Sequence, residues 1–357
     1  MHITSRTFLF VLAGALAACG GSPPPVESGP PPAPAAPAQP PPEAPAAAAQ
    51  PEAAPPPKAD PQEEKKKAEL AKLAEDTKAM EAKADQEAAR FDDALKAEVK
   101  ALVAANYPSA GAALRAALKG KYRAPGNAER DAARHPVETL EFFGLKPTST
   151  VLELGAGEGW YTELLAPVLA KKGKLIITSF DPNGPADSRN TLYGKRVKRL
   201  LEKSPELFGK VDVALIDRDN PKLGLEGKVD LVIAAREAHN WHRNGKFDAY
   251  VAEAFKALKP GGVFGIEQHR AKPDANPDES AKQGYLPEAW VIQKVESAGF
   301  KLGAKSEVNA NPKDTKDYPE GVWTLPPNFR LGDKDRARYA AIGESDRMTL
   351  KFVKPAR

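Results

Sequence analysis

The chain holds one cysteine in 357 residues, Cys19, so no disulfide can close within it. A cysteine nucleophile or a cysteine-built zinc site is excluded on the same count. A basic face for nucleic acid is missing as well. Charged residues make up 28% and the net charge is +4, but the lysines alternate with acids and no basic stripe carries aromatics. Long apolar runs are lacking, and the stretch at residues 8–18 is too short for a typical membrane span. Residues 23–57 have almost no large apolar side chain. They are nearly all Pro, Ala, Gln and Glu and hold much of the chain's total of 35 prolines. Such a segment cannot offset its conformational entropy, so it is expected to be an extended, partly polyproline spacer. The dinucleotide fingerprint Gly-x-Gly-x-x-Gly is also absent, because in Gly155, Gly157 and Gly159 the third glycine comes one residue early. His239 and His242 could share a helix face, but no third ligand of suitable type is near, and no metal is expected.

What is present divides the chain into four parts. Arg6 precedes the apolar stretch and Leu16-Ala17-Ala18-Cys19 closes it. This resembles a bacterial lipoprotein signal, which implies cleavage before Cys19, its acylation and a lipid anchor in the cell envelope. Gly20 and Gly21 lack the aspartate that retains some lipoproteins at the inner membrane, so the outer membrane, facing the periplasm, is the expected place. The parts are then a signal peptide at 1–18, a disordered Pro/Ala linker at 19–60, a charged helical spacer at 61–119 and a folded domain at 120–357. In the spacer, Leu70, Leu73, Met80, Phe91, Leu95, Val99 and Leu102 recur at spacings near three and four, which predicts one long helix over 61–105 with a thin apolar stripe. The stripe lapses at Thr77, Ala84 and Ala88, which favours a solvated helix docking by its last turns over a coiled coil. A short helix is expected at 111–119.

From Gly120 onward, apolar strands alternate with helical stretches. Strands are expected at 150–154, 174–179, 211–216, 229–234, 263–268, 300–308 and 347–353, with helices between the first six. Such alternation predicts an α/β fold, a doubly wound and mostly parallel seven-stranded sheet with right-handed crossovers. Ligands of such sheets sit beyond the carboxyl ends of the strands, where strand order reverses. The first strand runs into Gly155-Ala156-Gly157-Glu158-Gly159 and then a helix. Glycines there let a ligand approach the backbone and the helix start offers unpaired N–H groups, so an adenosine-containing cofactor is expected.

Glu153 followed by these glycines resembles motif I of the class I S-adenosylmethionine (SAM) dependent methyltransferases. The resemblance implies that Glu153, Gly155, Ala156, Gly157 and Gly159 bind the cofactor, with the glutamate facing its amino group. At the second strand end the family places an acid on the ribose. Ser179 holds that position here and Asp181 lies two residues on, the better candidate because a carboxylate accepts from both hydroxyls, unless it only closes the Asp-Pro-Asn-Gly turn. Asp217 would accept from the adenine amine. The fourth strand delivers Arg236, Glu237, His239, Asn240 and Trp241, where such enzymes present groups to the reacting methyl. His239, or His269 from the fifth strand, is the candidate base, and Arg236 the group that orients an anionic acceptor. Either histidine could instead hold its loop.

Residues 122–355, with Gly284-Tyr285-Leu286-Pro287, Glu296-Ser297-Ala298-Gly299-Phe300, Asn311-Pro312-Lys313-Asp314 and the terminal Ser345 to Phe352, resemble a bacterial family of exported predicted methyltransferases. Glu237 stands where asparagine is expected, and Gln268 where an acid often precedes the histidine. The tract 309–339 lacks periodicity and is expected to be a lid or substrate wall, or a loop packed by its own aromatics. The resemblance implies methyl transfer from SAM to an unidentified acceptor. The alternative is a ligand-binding or envelope-interaction module that keeps the fold without the chemistry.

Overall fold

A computed structural model describes residues 60–356. The expected signal peptide, Cys19 and the Pro/Ala linker up to residue 59 lie outside the described residues. The strands are β1 (Thr150–Leu154), β2 (Lys174–Ser179), β3 (Asp212–Leu215), β4 (Val229–Ala235), β5 (Leu258–His269), β6 (Lys301–Ser306) and β7 (Arg347–Val353), with runs rich in Val, Ile and Leu in the central β1, β2 and β4. They form one sheet in the order β3-β2-β1-β4-β5-β7-β6. Pairings from β3 through β5 are parallel, and β7 runs antiparallel between β5 and β6. This is the doubly wound, mostly parallel, Rossmann-like sheet expected from the sequence.

Alternating residues of β1 feed two cores, because a parallel sheet is buried on both faces. Val151 points into a core built with the helices Pro136–Phe143, Trp160–Leu169 and Arg189–Glu202. Leu152 and Leu154 point into a second, built with Ala238–Arg243, Phe247–Ala257 and Glu288–Ser297. Strand order reverses between β1 and β4, so the crevice lies at their carboxyl ends.

Four expectations are corrected. The long helix is two, α1 (Pro61–Ala89) and α2 (Asp93–Ala104), with α3 (Ala110–Ala117) following. Asp92 accepts from the Leu95 N–H at 2.8 Å, so it caps a new helix, and the freed Phe91 drops into the core. The spacer docks by its last turns, as expected, but is less solvated than expected: Val99 and Leu114 are fully buried in the same core as β1, and the described residues form one compact unit. Leu73 and Met80 of α1 pack on Leu192, flanked by the Arg189–Asp76 pair at 2.8 Å. No helix separates β3 from β4, so Val213 and Leu215 on this edge strand remain 41% and 54% exposed. Finally, the segment before β7 carries a short helix, Arg336–Ile342. No helix among the described residues is long and apolar enough to cross a membrane.

Candidate functional site

The turn after β1 holds Gly155, Gly157 and Gly159 at φ of 77°, 58° and 86°, the left-handed region that favours glycine. Their surroundings separate them. A Cβ on Gly159 would lie 2.3 Å from Leu200 Cδ2, and one on Gly155 would lie 2.6 Å from Glu237 Cγ. Those two positions are glycine because the protein packs there. Gly157 faces open space, its nearest neighbour being the Gly155 oxygen at 4.0 Å. Of the three, only Gly157 leaves room for a ligand. The Gly155 N–H donates to Thr178 Oγ1 at 2.9 Å, which ties the turn to β2.

Two lobes of one cleft meet at this turn and share Gly155, Ala156, Gly157, Glu237 and Asn240. The lobe toward β2 and β3, about 480 Å³, is walled by Ser179, Phe180, Tyr193, Ile216 and Arg218. Phe180 and Tyr193 lie 6.3 Å apart, and the Arg218 guanidinium stands 5.5 Å over Phe180. The structure does not bring Asp181 or Asp217 into it. Both are exposed, and each carboxylate accepts the backbone N–H two residues on, from Asn183 and Asp219, at 2.8 Å. Each acid therefore closes its own turn, the geometry that Asp favours before a tight bend.

The lobe toward β4 and β5, about 310 Å³, gathers Glu153, Arg236, Glu237, His239 and His269 with Trp323 of the tract 309–339 and with residues not singled out from sequence: Arg130, Arg134 and Glu344. Behind it, buried Glu267 accepts from Tyr161 Oη at 2.8 Å and pairs with Arg236 at 3.0 Å and Arg347 at 2.7 Å. Burial opposes its charge, but the two arginines outweigh burial and hold its carboxyl below the usual range. Glu344 accepts from Arg134 Nε at 3.0 Å and from Arg347 at 2.9 Å. Arg236 sits at φ of 60°, a conformation costly for a non-glycine residue. Its N–H donates to the Glu267 carbonyl at 2.7 Å, which turns the chain out of β4 so that the following residues face the cleft.

Two acids here lack a cation partner strong enough to offset their burial. Glu153 accepts only from Thr162 Oγ1, at 2.7 Å, and burial pushes its carboxyl up to about 7. Glu237, reached by Asn240 at 3.4 Å, is likewise pushed up to about 7 by burial, against the pull of Arg236 and Arg218. His239 is buried with its ring 5.7 Å from His269 and 5.9 Å from Trp323. The Gln268 amide nitrogen donates to the Gly284 carbonyl at 2.9 Å, so its oxygen faces His239 Nδ1 at 3.3 Å. That assigns the proton to Nδ1 and leaves Nε2 as an acceptor. Burial lowers His239 to about 4, and burial with His239 and Arg236 nearby holds His269 well below its ordinary range. Both imidazoles are neutral near pH 7 and are weak bases, whereas Glu237 titrates where a general base works best. His242 is not with them; it contacts Asp278 at 2.7 Å and packs on Trp290.

The tract 309–339 lines the cleft and also packs on itself. Val322, Trp323, Pro326 and Asn328 wall this lobe, while Tyr318, Leu325 and Tyr339 form a small core of their own. Arg130 and Arg134 escaped sequence reasoning because no local pattern marks them. Arg134 and Glu344 meet across 210 residues.

No family model matches the chain, and no curated protein does. Solved structures do. A SAM-dependent methyltransferase from Aquifex aeolicus is 21% identical over 63% of this chain and 93% of its own, with a TM-score of 0.42. The [4+2]-cyclase SpnF is 16% identical over 66% and 85%, with a TM-score of 0.43. A Burkholderia thailandensis 1,6-didemethyltoxoflavin-N1-methyltransferase, with its substrate and S-adenosylhomocysteine bound, is 15% identical over 64% and 80%, with a TM-score of 0.39.

Proposed function

We propose that the chain transfers a methyl group from SAM to an acceptor held in the lobe toward β4 and β5. The observation that carries this reading is Gly157, a left-handed glycine at the strand-order switch whose bare face opens on a cleft instead of on protein. When bound, SAM supplies an electrophilic methyl on a sulfonium. The turn 155–159 would let its amino-acid portion reach backbone, with Glu153 beside the amino group. Phe180, Tyr193 and Ile216 offer apolar surface for an adenine. Ser179 replaces an acid at the ribose. Glu237 stands at the junction of the lobes, where a carboxylate can face a cation and accept a proton from the acceptor. His239 Nε2 and His269 line the acceptor side, and most of the rate effect would come from holding the reactants in line.

Calorimetric titration of the full chain with SAM and S-adenosylhomocysteine tests the reading; no heat with either removes it. A Cβ at Gly157 meets nothing in the protein closer than 4.0 Å but sits at a strained φ of 58°, so Gly157→Ala should lower SAM affinity by about tenfold or more, with an unchanged thermal melt showing that the turn is intact.

A second reading, a binding module without turnover, is favoured by one observation: the Glu237 side chain covers the bare face of Gly155. Tight SAM binding with no methyl transfer to any acceptor would select it. We also propose that Cys19 is acylated and tethers the domain to the envelope, on the strength of the pattern at residues 6–19 and the Pro-rich segment after it. Cys19→Ala should release the protein from the membrane fraction. Outside the cytoplasm, where SAM is made, the supply of cofactor becomes the decisive variable.

A further inference from the structure

The lobe toward β4 and β5 is lined by three arginines, Arg130, Arg134 and Arg236, set among the carboxylates Glu153, Glu158, Glu237 and Glu344. Arg134, Arg236 and Arg347 share two fully engaged carboxylates, Glu267 and Glu344. Arg134 is only 4% exposed. Its Nε meets Glu344, and its Nη atoms have no hydrogen-bond partner among the described residues while the side chain lines the lobe. Arg236 spends Nη1 on Glu267 and lines the same space. Arg130 stands at the rim with no ion pair among the described residues. Burial, and after it the neighbouring Arg236, push Arg134 down to about 10 against the pull of Glu344 and Glu267. The Nη edge of Arg134 reaches the open space of the lobe, where it is free to donate to whatever enters.

We infer that this end of the lobe seats an anionic group, a carboxylate or a phosphate, held by the free edges of Arg134 and Arg236 with Arg130 at the rim. The planar fork of a guanidinium suits either group. The inference deepens the methyl-transfer reading and rests on it for the ligand's identity. The anion belongs either to the acceptor or to the amino-acid end of the cofactor.

Calorimetric titration of inorganic phosphate into the full chain tests it. Phosphate is expected to bind, about tenfold or more weakly in Arg134→Lys, which keeps charge but loses the fork, and several-fold more weakly in Arg130→Ala. Arg130 holds no pair whose loss would unfold the domain, so that variant reads the site alone. Phosphate that binds equally with S-adenosylhomocysteine present assigns the anion to the acceptor. Phosphate displaced by S-adenosylhomocysteine but not by 5′-methylthioadenosine, which lacks the amino-acid end, assigns it to the cofactor. Phosphate binding that both substitutions weaken, with no heat from either adenosyl compound, keeps the anion seat and removes the methyl-transfer reading. Absence of phosphate heat, or phosphate heat indifferent to both substitutions, overturns the inference even where SAM binds.

Discussion

On the β2 and β3 side of the cleft, the strand-end acids Asp181 and Asp217 close their own turns and face water. On the β4 and β5 side, Glu237, Glu267 and Glu344 are drawn in among Arg134, Arg236 and Arg347. The same residue types thus end in opposite environments on either side of one glycine turn. An acid followed by Pro-Asn-Gly or Arg-Asp has a backbone N–H within reach and needs no other partner. An acid buried on the other side has no such outlet: Glu267 and Glu344 find arginines across the fold, and Glu237, which does not, is pushed toward its neutral form. The first kind stabilises a loop, and the second fixes an electrostatic field at the site.

The largest effect should come from breaking the buried network. Glu267→Gln removes the carboxylate shared by Arg236 and Arg347, which leaves Arg236 without an ion pair and Arg347 with Glu344 alone. A cost of about 3–5 kcal/mol is expected, read as a lower urea midpoint, and a cost under about 1 kcal/mol would show that the network contributes little.

Glu153 is buried without a cation partner, and its effect has a definite pH sign. Its folded value of about 7 lies above its ordinary one, so its favourable contribution is present at low pH and is lost as pH rises through about 7. Glu153→Gln should therefore change stability little near pH 5 and raise it near pH 8, by on the order of 2 kcal/mol. Thermal melts at both values check this, and a loss of stability at the higher pH would contradict it.

Glu237 belongs to both lobes and tests the comparison at their junction. Its carboxyl titrates at about 7 among Arg236, Arg218, Asn240 and Tyr250, and it must ionise to face a cation. SAM affinity is expected to rise through pH 7, by up to about tenfold, with S-adenosylhomocysteine following more weakly. Glu237→Gln should flatten the profile for SAM. A wild-type profile equal for both compounds would show that the carboxylate does not sense the sulfonium.

The strands were legible because burial on both faces demands runs of Val, Ile and Leu, as in β1, β4 and β7. β3 was expected longer because Val211 and Ile216 continue its apolar run; the sequence does not reveal that Val213 and Leu215 lie on an uncovered edge. The turn at 155–159 was legible because alternate glycines imply left-handed backbone, but which glycine faces a ligand depends on Leu200 and Glu237, which are distant in sequence. The helix break at Phe91 was hidden because helical periodicity persists across it. Arg236 was legible from its place at the end of the fourth strand, but Arg134 and Arg347 were not, because they have meaning only through pairs that close across the fold.

The smallest effects should come from the side where acids face water. Asp181→Asn and Asp217→Asn each keep a side-chain oxygen able to accept the N–H two residues on, so the turns should survive and stability should move by no more than about 0.5 kcal/mol. If SAM binds with the ribose at Ser179 and the adenine against Phe180 and Ile216, neither substitution should alter its affinity by more than about twofold. A drop of about tenfold or more in Asp181→Asn alone would mean that the turn 181–184 swings inward when ligand binds. The two sides of the cleft would then differ in timing, one charged before binding and the other made so by it.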